Sequence, residues 1–309
     1  MLRYVLGRLV GMLPVLFGVT LLVFLMTAFS PGDPVVAMLG ESAQGISREA
    51  LEELRTQLGL DRPLPAQYAA YVGGLLRGDL GVSIRSRRPV LAEIADRLPA
   101  TIELAVAALA VAVALGVTLG VVAAVRKRTW VDGAAIAVAL VGVSVPVFWS
   151  GFLLMIVFAL ELGWLPASGR GSVRHLILPA VTVGVSSAAF IARITRGAVL
   201  EALGQDYVRT AHAKGVAPRR VVVRHALRNA LLPIVTVVGL QLGGLLGGAV
   251  LTETVFAWPG VGRMLVDAIL ARDLPLVQGS VLVISLIFIL VNLAVDLSYA
   301  AINPKVRYG

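Results

Sequence analysis

The chain contains no cysteine and few charged residues. The absence of cysteine excludes disulfide bonds, a thiolate nucleophile and cysteine-based metal sites. Charged residues make up only 15 % of the 309 residues and hydrophobic residues 58 %, which is far from the averages of soluble domains. Together with a mean hydropathy of +0.89, this composition predicts a membrane protein that crosses the bilayer several times.

The sequence also lacks the motifs of several enzyme classes. Lys127, Lys214 and Lys305 each follow a residue other than glycine, so the chain has no Gly-Lys-Ser/Thr phosphate-binding loop. The three histidines are scattered and do not form the paired ligands of zinc proteases. Neither a Gly-x-Ser-Gly nor a Gly-x-Gly-Asp intramembrane protease motif occurs. These absences argue against an enzyme and against a chain that hydrolyses ATP itself.

Several apolar runs are long enough to cross a bilayer, which takes about 20 helical residues. Six such runs are Leu9–Phe29, Pro99–Val125, Val131–Leu160, His175–Arg196, Pro233–Ala257 and Leu274–Ala301. The first run is longer than the apolar region of a secretory signal and Pro31 follows it, so we expect an uncleaved anchor. The sequence therefore predicts an all-α polytopic fold of six transmembrane helices with both termini on one side.

The segment Pro31–Leu98 is polar and predicts two amphipathic helices, which begin near Ser47 and Pro65. Its acidic and basic residues nearly balance, which suits a surface cap or a platform for a protein that delivers substrate. The expected domains are 1–98 (first transmembrane helix and extracytoplasmic helical segment), 99–302 (transmembrane domain) and 303–309 (cytoplasmic tail).

Basic residues concentrate on one side of the predicted spans. More than half of the 27 Lys and Arg residues fall on the side shared by the termini. The short loops of the other side contain Arg170, Arg174, Arg263 and Arg272. Under the positive-inside rule, the side with the termini is cytoplasmic. The net charge of +9 is thus explained by membrane topology, and we expect no nucleic-acid partner.

A basic stretch from Asp206 to Pro233 separates two apolar runs on the predicted cytoplasmic side. Asp206 is suited to an N-cap, Tyr207–Lys214 contains only helix-tolerant residues, and Gly215 stands where a left-handed residue ends a helix. Pro218 suits the first turn of a second helix. A helix of about eight residues is not stable alone in water, so it needs a partner surface. An ordinary connector and a docking helix both satisfy that requirement.

Two segments of this stretch resemble membrane subunits of ABC importers of the peptide/nickel branch. They are Tyr207-Val-Arg-Thr-Ala-His-Ala-Lys-Gly215 and His225-Ala-Leu-Arg-Asn-Ala-Leu-Leu-Pro233. The first is similar to the family's Glu-Ala-Ala loop, with Arg209 in the place of Glu, as is usual for the peptide branch. The segment from Asp296 to Gly309 resembles the B-type subunits of that branch. The resemblance covers nearly the whole chain and implies the type I ABC importer permease fold.

In that family a short cytoplasmic helix docks into a cleft on a separate ATPase subunit. The resemblance therefore implies these ATPase-coupling residues: Tyr207, Val208, Arg209, Thr210, Ala211, Ala213, Lys214 and Gly215. It also implies a second, C-type permease, two ABC ATPase subunits that bind ATP and Mg²⁺, and an extracytoplasmic solute-binding protein. This chain would hold no cofactor and would reside in a bacterial or archaeal cytoplasmic membrane.

The motifs do not determine the solute. Relatives that share them carry dipeptides, oligopeptides, glutathione or nickel chelates, and we expect a peptide importer in which this chain forms half of the translocation pathway. A secondary transporter is the more distant alternative. It needs buried ion-coupling charges, and the middle of the predicted spans lacks them.

Candidate pathway residues lie in the fifth predicted span. Its glycines at four-residue spacing favour close helix packing, and the alternative is a weakly polar wall that includes Gln241 and Gly244. Glu253, near the outer end, is a candidate contact for the amine of a peptide. In the third span, Pro146 predicts a kink, because proline cannot donate the helical hydrogen bond.

Overall fold

The computed structural model describes residues 2–29, 35–36, 47–57 and 59–302, so the predicted tail lies outside the described residues. In chain order the helices are α1 (Leu2–Ala28), α2 (Arg48–Gln57), α3 (Leu64–Leu76), α4 (Val90–Val125), α5 (Trp130–Ser144), α6 (Val147–Met155, continued by a π-helix over Ile156–Glu161), α7 (Val173–Leu203), α8 (Asp206–Ala213), α9 (Pro218–Arg220, continued by a π-helix over Val221–Ala226), α10 (Leu227–Val255), α11 (Val261–Leu270) and α12 (Leu274–Ile302). Within these ranges the only extended pairing is an isolated bridge between Val82 and Pro89.

Five described helices are long and apolar enough to cross a membrane. They are Val10–Ala28, Val90–Val125, Val173–Leu203, Pro218–Leu245 and Leu274–Val295. The fourth is a continuous run of α9, its π-helix and the first part of α10. A sixth span results when Trp130–Gly142 and Val147–Glu161 count as one bent span, with 97° between the two parts. The break lies at Val145 and Pro146, so the predicted kink is present. Its cause is the missing N–H of proline.

One helix was not predicted from the sequence. Residues 261–270 form α11, whereas the apolar runs suggested only a loop after Ala257. Val261, Met264 and Ala268 of this helix are buried, and their spacing of three and four residues is that of one helix face. The segment is too short to be recognised as a membrane span, which is why a search for long apolar runs misses it.

The chain divides into two compact units. The first comprises Met1–Arg8, Pro99–Arg263 and Ile287–Gly309, and the second comprises Leu9–Leu98 and Met264–Leu286. The predicted division into domains 1–98, 99–302 and 303–309 stays a prediction.

The second unit is held together by aromatic packing and by one buried carboxylate. Tyr68 of α3 packs edge-on against Phe24 of α1 and its hydroxyl lies 2.8 Å from the hydroxyl of Thr20. Asp273, only 2 % exposed, accepts hydrogen bonds from the Ser83 hydroxyl at 2.5 Å and from backbone N–H groups of the following residues. These contacts fix the loop before α4 to the start of α12.

In the first unit α4 and α7 approach each other through glycines. A Cβ at Gly120 of α4 would lie 2.6 Å from the Ala192 carbonyl oxygen and 2.6 Å from the Thr195 Cβ, both on α7. Gly116 and Gly184 are equally tight, with 2.7 Å to the nearest side-chain carbon of the facing helix. Small residues of this kind allow two helix backbones to make direct van der Waals contact inside a membrane.

We predict that Gly120→Ala destabilises the protein by about 1–3 kcal/mol, because the added methyl group forces α4 and α7 apart. Gly197→Ala is the matched control, since nothing lies within 4 Å of a Cβ at that position of α7. Thermal unfolding of the purified protein in detergent measures both. A Gly120→Ala protein as stable as the control would contradict the proposed close packing.

Candidate functional site

The helix α8 ends in a complete Schellman motif. Gly215 has φ +71°, a left-handed conformation that suits glycine. Its N–H donates to the His212 carbonyl at 2.9 Å, and the N–H of Val216 donates to the Ala211 carbonyl at 3.1 Å. Val216 also packs against the cluster of Val208, Ala211 and Val221, a hydrophobic contact that frequently accompanies this motif. The predicted end of the helix is therefore confirmed, and its geometry fixes where the chain goes next.

The start of α8 differs from the prediction by one residue. Gln205 occupies the N-cap position and Asp206 is the first helical residue. There its carboxylate lies at the positive end of the helix dipole, which is favourable without a capping hydrogen bond. The carboxylate also lies 3.6 Å from the guanidinium of Arg209, but both side chains are largely exposed, so this pair contributes little.

The two sides of α8 have different environments. Val208 and Ala211 are 3 % and 7 % exposed and pack with Val221, which is fully buried in the π-helix that follows α9. The other predicted coupling residues are exposed, and they are Tyr207, Arg209, Thr210, Ala213, Lys214 and Gly215. Val208 and Ala211 therefore hold α8 against its own chain. A partner can contact only the exposed set.

The glycines of α10 confirm the packing interpretation for one face of the helix. A Cβ at Gly239 would collide with Val295 of α12, and one at Gly243 would lie 3.1 Å from the Asn292 side chain. Gly244, by contrast, has nothing within 4 Å of its Cβ position, and Gln241 is half-buried. The face with Gly244 is thus open in this chain, and a role in lining the pathway stays a prediction for both residues.

Glu253 lies in the interior of the first unit. Its side chain is 0 % exposed, so in this conformation a solute cannot contact it. Its carboxylate accepts hydrogen bonds from the Thr101 hydroxyl at 2.7 Å and from the Arg263 N–H at 3.0 Å. Arg263 belongs to the first turn of α11, whose N–H groups have no partner within the helix. Glu253 thus acts as a cap of α11, contributed by a residue of α10.

Thr101 completes this capping arrangement. Its hydroxyl oxygen accepts the Val261 N–H at 2.9 Å while its hydrogen goes to Glu253. The indole N–H of fully buried Trp258 donates to the Ala100 carbonyl at 2.8 Å. The connection between α10 and α11 is therefore bonded at several points to the same turn of α4. These bonds give Glu253 a structural role in this conformation, and its candidate contact with a peptide amine stays a prediction.

Sequence reasoning missed the partners of Glu253, since Thr101 is 152 residues away. The sequence does contain a local signal, which is the presence of Gly260 and Gly262 shortly after Glu253. In the structure a Cβ at Gly260 would collide with the Glu253 carboxylate, and a Cβ at Gly262 would lie 2.9 Å from its Oε2. Two glycines shortly after a glutamate are compatible with a backbone that closes over the glutamate side chain. They do not identify Thr101 as a partner of that side chain.

We predict that Thr101→Val destabilises the protein by about 1–3 kcal/mol, because it leaves the Val261 N–H without its acceptor and removes a donor to a buried carboxylate. Thr118→Val is the matched control, as Thr118 is exposed on the same helix. Thermal unfolding in detergent compares the two variants. Equal midpoints would contradict the capping role of Thr101.

Comparison with solved structures confirms the fold class. The MetNI methionine ABC transporter in an inward-facing conformation matches with a TM-score of 0.60 at 18 % identity, over 68 % of this chain and 96 % of that chain. An amino acid ABC transporter structure matches with a TM-score of 0.54 at 13 % identity, over 68 % of this chain and 94 % of that chain. The chain has the all-α type I ABC importer permease fold.

Comparison with known sequences gives the family. The model described as "Binding-protein-dependent transport system inner membrane component" matches residues 116–308, and its N-terminal counterpart matches residues 1–105. The glutathione transport system permease protein GsiC of Escherichia coli K12 is 48 % identical over 308 residues and 100 % of both chains. The dipeptide transport system permease protein DppB of the same strain is 45 % identical over 339 residues, 100 % of this chain and 99 % of that protein. The resemblance seen around Tyr207–Pro233 is confirmed. This chain belongs to the inner-membrane permease components of binding-protein-dependent ABC importers, and it is a transport subunit and not an enzyme.

Proposed function

We propose that this chain forms half of the translocation pathway of an ATP-driven importer of small peptides and is driven through α8. The observation that carries the proposal is the form of α8, a helix fixed on one side and exposed on the other. Since its conformation is already held by Val208, Ala211 and Gly215, docking to a partner costs little further ordering.

The partner proposed for α8 is an ABC ATPase subunit on the cytoplasmic side. The concentration of basic residues around α8 supports a cytoplasmic location under the positive-inside rule, and the same rule supports cytoplasmic termini. The exposed set includes Arg209 and Lys214, which can pair with carboxylates of the partner. ATP and Mg²⁺ are proposed to bind to two such ATPase subunits, because this chain lacks a phosphate-binding loop.

The proposed assembly contains a second, similar permease and an extracytoplasmic solute-binding protein. The matched family is defined by dependence on a binding protein, which supports the latter. ATP binding closes the two ATPases and moves α8 of each permease, so that the pathway opens to the outside. Solute enters from the binding protein, and hydrolysis returns the permeases to the inward-open state.

The proposed solute is a dipeptide or oligopeptide. One similar relative is named for dipeptide and another for glutathione, which is itself a small peptide. A free amine, a carboxylate and peptide bonds are common to these molecules. Glutathione and nickel chelates are the alternatives within the family, and the solute-binding protein is expected to make most of the selection.

We predict that Ala213→Asp lowers the amount of ATPase subunit that co-purifies with the permease by about tenfold, because it places an unpaired charge in the contact. Ala213 is exposed, so the variant does not disturb the packing of α8 on its own chain. Ser168→Asp is the control, an exposed residue of the loop before α7. Undiminished co-purification in Ala213→Asp would rule out docking through α8.

We predict that proteoliposomes with the whole complex take up a labelled dipeptide only when ATP and the binding protein are present. Excess unlabelled dipeptide should abolish this uptake, while excess nickel chelate should leave it unchanged. Competition by excess glutathione is measured in the same way and shows whether the importer also accepts glutathione. Uptake of nickel chelate alone would contradict the peptide assignment, and uptake driven by an ion gradient without ATP would indicate a secondary transporter.

A further inference from the structure

Asp132 and Arg196 form a two-point ion pair between α5 and α7. The Arg196 Nε donates to Asp132 Oδ1 at 2.7 Å and its Nη2 donates to Oδ2 at 2.8 Å. The Asp132 side chain is 10 % exposed and the Arg196 side chain 29 %, so the pair is partly covered by the protein. A pair of this parallel geometry fixes both the distance and the angle between the two side chains, unlike a single contact.

The same carboxylate also holds the turn that joins α4 to α5. Asp132 Oδ2 accepts the Arg128 N–H at 3.0 Å. Arg128 has φ +61°, a left-handed conformation that is unfavourable for a residue other than glycine. The hydrogen bond that the Arg128 N–H donates to Asp132 compensates for this strain at the turn. One carboxylate therefore ties the end of α4, the start of α5 and the side of α7 to one another.

The described apolar contacts between α5 and α7 include several small side chains. Ala139 of α5 packs with Ala189 and Ala192 of α7, and Gly142 approaches Val185. Small side chains permit close approach of the two helices, and they carry no charged group that would define the register by itself. Among the described residues, the ion pair is the directional contact between α5 and α7, and its two hydrogen bonds define their register together with this packing.

We propose that Asp132 and Arg196 are positioning residues for energy coupling, which make α5 follow α7 during the transport cycle. This inference depends on the proposed docking of an ATPase through α8. Only two residues separate the end of α7 at Leu203 from α8, so movement of α8 acts directly on α7. The ion pair passes that movement to α5 and, through the break at Pro146, to α6. Without the pair, α7 moves and α5 slides along it.

The test measures solute transported per ATP hydrolysed in proteoliposomes that contain the complete complex. Asp132→Asn keeps an oxygen acceptor for the Arg128 N–H but removes the charge, and Arg196→Gln removes the other partner. We expect each variant to lower this ratio by about tenfold while ATPase activity persists. We also expect both to assemble with the ATPase subunits in normal amounts, because α8 is unchanged.

The chain supplies a matched control in a second ion pair. Arg170 Nε donates to Glu103 Oε2 at 2.8 Å, in the same unit and with both side chains about two-fifths exposed. Glu103→Gln and Arg170→Gln remove comparable charges away from the contact between α5 and α7. We expect both to retain the ratio of transport to hydrolysis that the unmodified complex has.

The exchange variant Asp132→Arg with Arg196→Asp tests the pairing itself. It is made in an Arg128→Gly background, because arginine at position 132 cannot accept the N–H of residue 128 and glycine adopts the left-handed conformation there without that bond. We expect it to recover a substantial part of the ratio that either single change loses. An unchanged ratio in the single variants overturns the inference, and so does a loss that the exchange does not restore. Failure of the proposed function gives a different result. In that case the Ala213→Asp variant co-purifies with normal amounts of ATPase subunit, whatever ratio of transport to hydrolysis the ion-pair variants show.

Discussion

Direct contact between the backbones of α4 and α7 is the constraint on which the first unit depends. Gly116, Gly120 and Gly184 leave no room for a side chain at the contact, and the facing residues fill the space. Inside a bilayer the hydrophobic effect does not drive helices together, so van der Waals contact over such surfaces has to do so. Because α8 follows α7 after two residues, this packing also determines where α8 lies.

The interior of the chain shows how a buried charge can serve structure. Glu253 is completely buried, yet its oxygens are bonded to the Thr101 hydroxyl and to N–H groups at the start of α11. A helix start has unpaired donors and a partial positive charge, so it is a suitable environment for a carboxylate. An acidic residue near the end of a membrane helix therefore does not by itself indicate contact with the transported solute.

The proposed coupling unites α8 with the helices behind it. Val208 and Ala211 attach α8 to its own chain, the glycines attach α4 to α7, and Asp132 with Arg196 attaches α5 to α7. Each attachment uses a different interaction, and the last adds two directional hydrogen bonds to the apolar packing between α5 and α7. An ion pair can define the register of two helices without a large contact area. This property suits α5, which is proposed to move together with α7.

The sequence by itself determined the class of the protein, five of the six apolar helices as continuous elements, the break at Pro146 and the bounds of α8 to within one residue. These features depend on hydropathy, on proline and on the left-handed preference of glycine, all of which act within a few residues. Only the tertiary structure decided which side of α8 is exposed, that Glu253 caps α11, and that Asp132 meets Arg196. Asp132 and Arg196 are 64 positions apart and Glu253 and its partner Thr101 are 152 apart, and the distance between such residues is set by how the helices pack.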